Sequence, residues 1–230
     1  MGFSDAPTLL GSGDWTERDN DPEDEGGHGT HVSGIIAAKA NNGIGIAGIA
    51  RNCRLMPVRA SFKFGGGTYI QNDDAAAAIV YAADNGAGVI NMSWGDTVRA
   101  FIIEDAIEYA HYQGCVLVSA AGNSAVSGSY YPAGLKTVIS VAGLGREKQM
   151  YDSSNFGATI SVAAPAEEIL STELNYGYGK RSGTSMAAAH VSAVAALVLS
   201  ENPHTTNTDC LLYTSPSPRD RTRSRMPSSA

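Results

Sequence analysis

At 230 residues the chain is long enough for one α/β domain built on a single core. It is 43% hydrophobic and 17% charged with a net charge of −7, a globular and acidic balance that argues against nucleic acid as the main partner. No apolar run approaches the ~20 residues of a membrane-spanning helix, and the three cysteines, Cys53, Cys115 and Cys210, make no disulfide framework.

Residues 1–27 read as loop and end in an acidic run, Asp19, Asp21, Glu23, Asp24 and Glu25. Such a run is ordinarily a solvated loop; clustered carboxylates between glycines also suit calcium, which takes oxygen ligands. A helix is expected from about residue 30 to 39, with His28 at its head and Thr30 as its cap. His28 and His31 are three apart, but no Glu stands next to His28 as a zinc-protease helix requires. A Gly-rich loop follows over residues 41–48.

From there strand and helix patterns alternate. Residues 54–60 (RLMPVRA) read as a strand, with Pro57 against it. Residues 70–83 are Ala-rich and helical, stopped by Asn85-Gly86. Residues 89–93 (VINMS) suit a buried strand, and residues 100–112 a helix with apolar positions at Ile102, Ile103, Ala106, Ile107 and Ala110. Residues 115–121 (CVLVSAA) form a second buried strand that closes at Gly122-Asn123. Further strands are expected at 136–142 and 158–163. Residues 187–199 are strong helix formers, which puts Ser185 in the first turn of the last helix. The fold class that follows is α/β: a three-layer, doubly wound, mostly parallel sheet with helices on both faces. Sites in such sheets collect beyond the carboxyl ends of strands.

Three polar residues fall in or beside the loops joining strands to helices. Ser185 heads a buried helix, where unpaired amides and the positive end of the dipole favour developing negative charge. His28 is a base at a loop-to-helix junction, and Asn123 supplies an amide donor just past a strand. Each alone has a bland role as cap or turn closer. Together, each flanked by Gly and small residues, they offer a nucleophile, a base and an oxyanion donor.

On these residues the chain resembles the subtilisin-like serine proteases. His28-Gly29-Thr30-His31-Val32-Ser33-Gly34 is similar to the family's histidine motif and Gly183-Thr184-Ser185-Met186-Ala187 to its serine motif. Ala121-Gly122-Asn123 is similar to its oxyanion segment, and residues 89–95 to its substrate-binding strand. The resemblance implies a serine endopeptidase acting through a Ser/His/Asp triad and an acyl-enzyme. Ser185 would be the nucleophile, His28 the base, and Asn123 with the Ser185 amide the oxyanion donors. Ser93, Trp94 and Gly95 would pair with a polypeptide substrate as an added strand, with Ala120, Ala121 and Gly122 opposite. It further implies no cofactor for the chemistry, no membrane partner, a monomer, and an extracellular location.

The pattern also departs from the family. Apart from Asp24-Glu25-Gly26, which abuts the histidine motif, no Asp-x-Gly triplet precedes His28. Met1-Gly2-Phe3 resembles the remainder of that motif, so the resemblance sets the catalytic Asp immediately before Met1; Asp5 and Asp14 do not precede a Gly in the required way. Without the Asp, turnover is expected to fall about 10⁴-fold. Ala189 and Ala193 stand where the family usually has Pro and Gly. Tyr130 replaces a small residue at the base of the pocket for the residue preceding the cut, which implies a preference for small or medium apolar residues. Residues 41–46 (NNGIGI) resemble a calcium loop with Asn42 as side-chain ligand, although Thr8 replaces its partner Asp. The loop of Asp19 and Asp21 resembles a second calcium site. Residues 1–208 form the expected catalytic domain. Residues 209–230 carry Arg219, Arg221, Arg223 and Arg225 without periodicity and resemble translated adapter DNA; a disordered, non-native tail is expected there. The competing reading is a non-catalytic binding protein of the same fold, and a third is nucleic-acid binding through the Arg tail.

Overall fold

The computed structural model describes residues 13–14, 22–65, 67–203, 205–206 and 209–210. In chain order these form β1 (Gly13–Asp14), α1 (His28–Ala37), β2 (Val58–Arg59), β3 (Ser61–Phe64), β4 (Gly67–Ile70), α2 (Asn72–Asp84) and β5 (Val89–Met92). There follow α3 (Phe101–Tyr112), β6 (Val116–Ala120), β7 (Val138–Leu144), β8 (Val162–Pro165), β9 (Ile169–Glu173), β10 (Gly177–Arg181) and α4 (Thr184–Glu201).

The core is a parallel sheet in the order β5-β6-β7-β8. All five residues of β6 are buried, as the unbroken apolar run predicts for a strand covered on both faces. The two-residue period divides the strand between those faces. Leu117, with Ile90 and Met92 of β5, meets Ile79, Ala83, Ile107 and Ala110 of α2 and α3. Val116, Val118 and Ala120 meet Ala187, Ala188, Val191 and Ala195 of α4. This gives the three layers, helices on sheet on helix. Alanines along α4 let it lie close to the sheet, and Cys210 is buried in the same cluster. By length and mean hydropathy of 1.3, α4 would also pass as a membrane span. Here its buried half faces the sheet.

Several elements differ from expectation. The strand over 54–60 shrinks to β2, because Pro57 has no N–H to donate. Residues 13–14, read as loop, pair with β2 in parallel. The strand expected at 158–163 begins at Val162, since a turn at Gly157 (φ +120) with Ile160 N–H bonded to Gly157 O occupies the preceding residues. Two antiparallel hairpins, β3–β4 and β9–β10, carried no clear strand pattern.

The β9–β10 hairpin grips α1. The Ser171 hydroxyl donates to His31 O at 2.7 Å and the Thr172 hydroxyl to Thr30 O at 2.8 Å. His31 is fully buried, its Nε2 lying 3.0 Å from Ile169 O and 3.3 Å from Gly179 O. Gly34 makes this close approach feasible: a Cβ there would lie 2.2 Å from Thr172 Oγ1. On its other side α1 packs on α4 through Val32, Ile35, Met186 and Ala189.

Candidate active site

The nucleophile comes first. Gly183 (φ +148) turns the chain out of β10, its N–H held by Ala166 O at 2.8 Å, and α4 starts at Thr184. Ser185 is the second helical residue, so its own N–H has no intrahelical acceptor. Its hydroxyl donates to Ser93 O at 3.2 Å, while the Ser93 hydroxyl donates to Ser185 O at 2.9 Å. This reciprocal pair ties Ser185 to the end of β5.

Asn123 follows β6 through Gly122, whose φ of +100 suits only glycine. The Thr184 N–H donates to Asn123 Oδ1 at 2.8 Å, and the Gly122 N–H to Thr184 Oγ1 at 3.2 Å. The carbonyl end of the Asn123 amide is thereby spent on the helix start. The donor end, Nδ2, lies against Gly183, 3.4 Å from where a Cβ would stand. Asn123 Nδ2 and the Ser185 N–H have no hydrogen-bond acceptor among the described residues.

His28 is the first residue of α1. Thr30, expected as the cap, lies inside the helix; the N-cap residue is Gly27, and the carboxylate that accepts from the first turn is that of Asp24. Its Oδ2 accepts the Thr30 N–H at 2.6 Å and the Thr30 hydroxyl at 2.7 Å, and its Oδ1 accepts the N–H groups of Gly27 at 2.8 Å and Gly26 at 2.9 Å. Burial works to raise the Asp24 pKa, but these bonds outweigh it and hold the carboxyl below its ordinary value. His28 is pushed below the usual imidazole value, chiefly by the protein packed around its ring and then by the Arg181 guanidinium, with Asp24 opposing. The residue as a whole stays exposed, so the ring is crowded rather than sealed. A neutral imidazole near pH 7 is the form a general base needs.

Helix α1, which starts at His28, packs on α4, which starts at Thr184, through Val32 and Ile35 against Met186 and Ala189. No hydrogen bond links the two side chains in this resting arrangement, and the His28 ring has no hydrogen-bond partner among the described residues. No described carboxylate bonds to it; Asp24 has both oxygens committed. Asp5 lies outside the described residues, and of Asp14 only the strand placement is described.

Ser93, Trp94 and Gly95 lie just beyond β5. Trp94 packs on the cluster under α2 and α3. Asp96 and Tyr131 exchange backbone hydrogen bonds of 2.8 and 2.7 Å. The Tyr130 hydroxyl donates to Gly95 O at 2.6 Å. Its ring lies 2.6 Å from a Cβ built on Gly95 and 3.1 Å from one on Gly122. Tyr130 therefore fills the space between residues 93–95 and the segment of Ala120, Ala121 and Gly122. An open groove of about 590 Å³ between α2 and α3 is lined by none of these residues.

Of the candidate calcium ligands only Asn42 lies among the described residues. Asn42 Oδ1 accepts the Ile44 N–H of its own loop at 3.2 Å, and Asp19 and Asp21 lie outside the described residues. No group of three His, Cys, Asp or Glu gathers anywhere among the described residues. Sequence reasoning missed Asp24 as acceptor for the first turn of α1, Thr184, Asn155 and the Arg181–Glu173 pair, in which Arg181 Nε donates to Glu173 Oε1 at 2.7 Å. Only Asp24 left a local signal, a carboxylate just ahead of a helix start.

A three-layer α/β fold that sets a serine, an amide donor and a histidine at the ends of strands and heads of helices defines a serine-hydrolase-type site. Residues 10–221 match the model of the Subtilase family, and the chain belongs to that family, the subtilisin-like serine proteases. It is 44% identical over 188 residues to thermophilic serine proteinase of Bacillus sp. (strain AK1), covering 82% of this chain and 46% of that protein. It is 39% identical over 202 residues to thermitase of Thermoactinomyces vulgaris, covering 88% and 71%. A solved protease of Pseudoalteromonas arctica superimposes with a TM-score of 0.83 at 32% identity, covering 91% and 78%. The chain thus spans about half the length of the first relative and most of the other two.

Proposed function

We propose that the chain carries the catalytic core of a serine endopeptidase cleaving polypeptides. Ser185 Oγ attacks the peptide carbonyl carbon and its proton passes to His28. The tetrahedral oxyanion is held by Asn123 Nδ2 and the Ser185 N–H. His28 then protonates the departing amine, and water, deprotonated by His28, releases the acyl group from Ser185. The observation that supports this reading is the Thr184 N–H to Asn123 Oδ1 bond, which commits the carbonyl end of the amide to the start of the helix that carries Ser185 and leaves Nδ2 as a donor. The polypeptide lies along residues 93–95, and Tyr130 restricts the residue preceding the cut to small or medium apolar side chains. The chemistry needs no cofactor. The protein acts as a monomer, outside the cell, without nucleic acid or membrane.

On this reading the 230-residue chain turns over slowly, about 10⁴-fold below a complete triad, since its sequence lacks the family's Asp motif ahead of the histidine motif and no carboxylate among the described residues bonds to His28. That same observation favours the second reading, a non-catalytic binding protein of this fold. Labelling of Ser185 by a fluorophosphonate separates them. The protease reading requires labelling that is lost in Ser185→Ala; peptide binding without any labelling supports the second. Casein hydrolysis at the rate of a complete subtilase would refute the slow-turnover claim.

A further inference from the structure

Asn123 must be aimed to within a fraction of an ångström to act as an oxyanion donor. It is nonetheless exposed, in a loop after β6, and among the described residues its own side chain hydrogen-bonds only through Oδ1. Something must hold the loop. The backbone on both sides of Asn123 converges on one buried residue, Asn155, far along the chain. Asn155 Nδ2 donates to Ala121 O at 2.8 Å, and the Asn155 N–H donates to Gly122 O at 2.9 Å. Asn155 Oδ1 accepts the Ser124 N–H at 3.0 Å and the Val126 N–H at 3.3 Å. The two residues before Asn123 and the one after it are thus all bonded to Asn155.

Asn155 is itself fixed. The Ser154 hydroxyl donates to Asn155 O at 2.9 Å and accepts the Gly143 N–H of β7 at 2.8 Å. The clamp therefore stands on the parallel sheet. The fit leaves no slack, since a Cβ on Gly122 would lie 2.4 Å from Asn155 Nδ2. An amide is the one side chain of this size that both donates and accepts in a single plane. A carboxylate in its place would set oxygen against Ala121 O.

We propose that Asn155 is a positioning residue for the oxyanion hole: it holds the 121–126 loop so that Asn123 Nδ2 meets the oxyanion. This rests on the oxyanion role of Asn123 given above. Asn155 touches no reacting atom, so its removal acts on kcat through Asn123 and leaves substrate binding along residues 93–95 in place.

The test is a double-mutant cycle of Asn123→Ala and Asn155→Ala in the full 230-residue chain. The substrate is a peptide p-nitrophenyl ester, whose leaving group needs no proton from His28. Asn123→Ala is expected to lower kcat by about 10²–10³. Asn155→Ala is expected to lower kcat by about 10² with KM changed less than about threefold, as a displaced donor does. The double variant is expected to be no slower than Asn123→Ala alone. If Asn155→Ala fails to fold by circular dichroism, Asn155→Asp, which keeps the acceptor and the shape, replaces it in the same cycle. Multiplying rate losses in the double variant, or a loss confined to KM, would overturn the positioning role while leaving Asn123 as oxyanion donor. An unchanged kcat in Asn123→Ala alone would instead overturn the oxyanion reading itself.

Discussion

Removing the Asp24 carboxylate should loosen the head of α1 and, with it, the catalytic base. Asp24 accepts four hydrogen bonds, but they are not equal. The Gly26 N–H is exposed and finds water when the carboxylate is gone. The Thr30 hydroxyl can rotate to another partner. The N–H groups of Gly27 and Thr30 are partly buried, and each loses a bond worth about 1 kcal/mol net. Asp24→Ala is therefore expected to cost about 2 kcal/mol, within the range for a lost helix cap. In a chain of this size that lowers Tm by roughly 4–8 °C. The frayed first turn carries His28, so Ser185 acylation by a fluorophosphonate at pH 8 should slow about tenfold. Charge cannot explain that loss, since His28 is neutral at pH 8 in both proteins. Because the native Asp24 pKa is lowered, its stabilisation is complete above the ordinary carboxylate range and disappears as pH falls through the native value. The Tm gap between the two proteins should close on acidification below about pH 4. A Tm within about 1 °C of the parent at pH 7, with an unchanged acylation rate, would refute the reasoning.

Other expectations follow from the same contacts. Arg181 holds His28 below its ordinary pKa, so Arg181→Gln should raise that pKa and move the acid limb of Ser185 acylation to higher pH; a limb that stays put or moves down excludes the effect. Tyr130→Gly should open the space between Gly95 and Gly122, shifting peptide-library cleavage toward Phe and Tyr at the residue preceding the cut; an unchanged profile would show that Tyr130 does not set the pocket. Gly34→Ala forces a Cβ to within 2.2 Å of Thr172 Oγ1 and 3.1 Å of the Thr172 backbone nitrogen. Chemical denaturation should report a loss of about 1–3 kcal/mol, and a neutral result would mean that the hairpin does not clamp α1.

What could be read from sequence was whatever declared itself locally. The run Val116–Ala120 is apolar at nearly every position, and only a strand covered on both faces buries such a run. Ser185 stood out because its helix is Ala-rich and begins after Gly183. The β9–β10 hairpin was not legible: Ile169–Glu173 and Gly177–Arg181 mix polar and apolar residues, and their partners on α1 lie 138 to 148 residues away. Asn155 was invisible for the same reason, sitting in an aperiodic loop 29 to 34 residues from the backbone it holds. Asp24 looked like one carboxylate among several in a solvated run. Its role appears only when Thr30 is found inside the helix rather than before it.

The Asn123 amide has two ends with different duties. Oδ1 takes the first N–H of α4, a contribution to folding, and Nδ2 is left for the oxyanion role proposed above. Evolutionary paths through this position are narrowed accordingly. Replacement by Ala deletes a helix contact and a catalytic donor in one step, so any rate loss arrives mixed with a stability loss. Asp is the exception. It keeps an acceptor for Thr184 N–H and sets a negative charge at a helix N-terminus, where charge of that sign is favoured, yet it offers the oxyanion only repulsion. An Asn123→Asp lineage would persist as a well-folded protein that has stopped cutting. The fold's own demand on Oδ1 thus makes the step from protease to binding scaffold a single substitution.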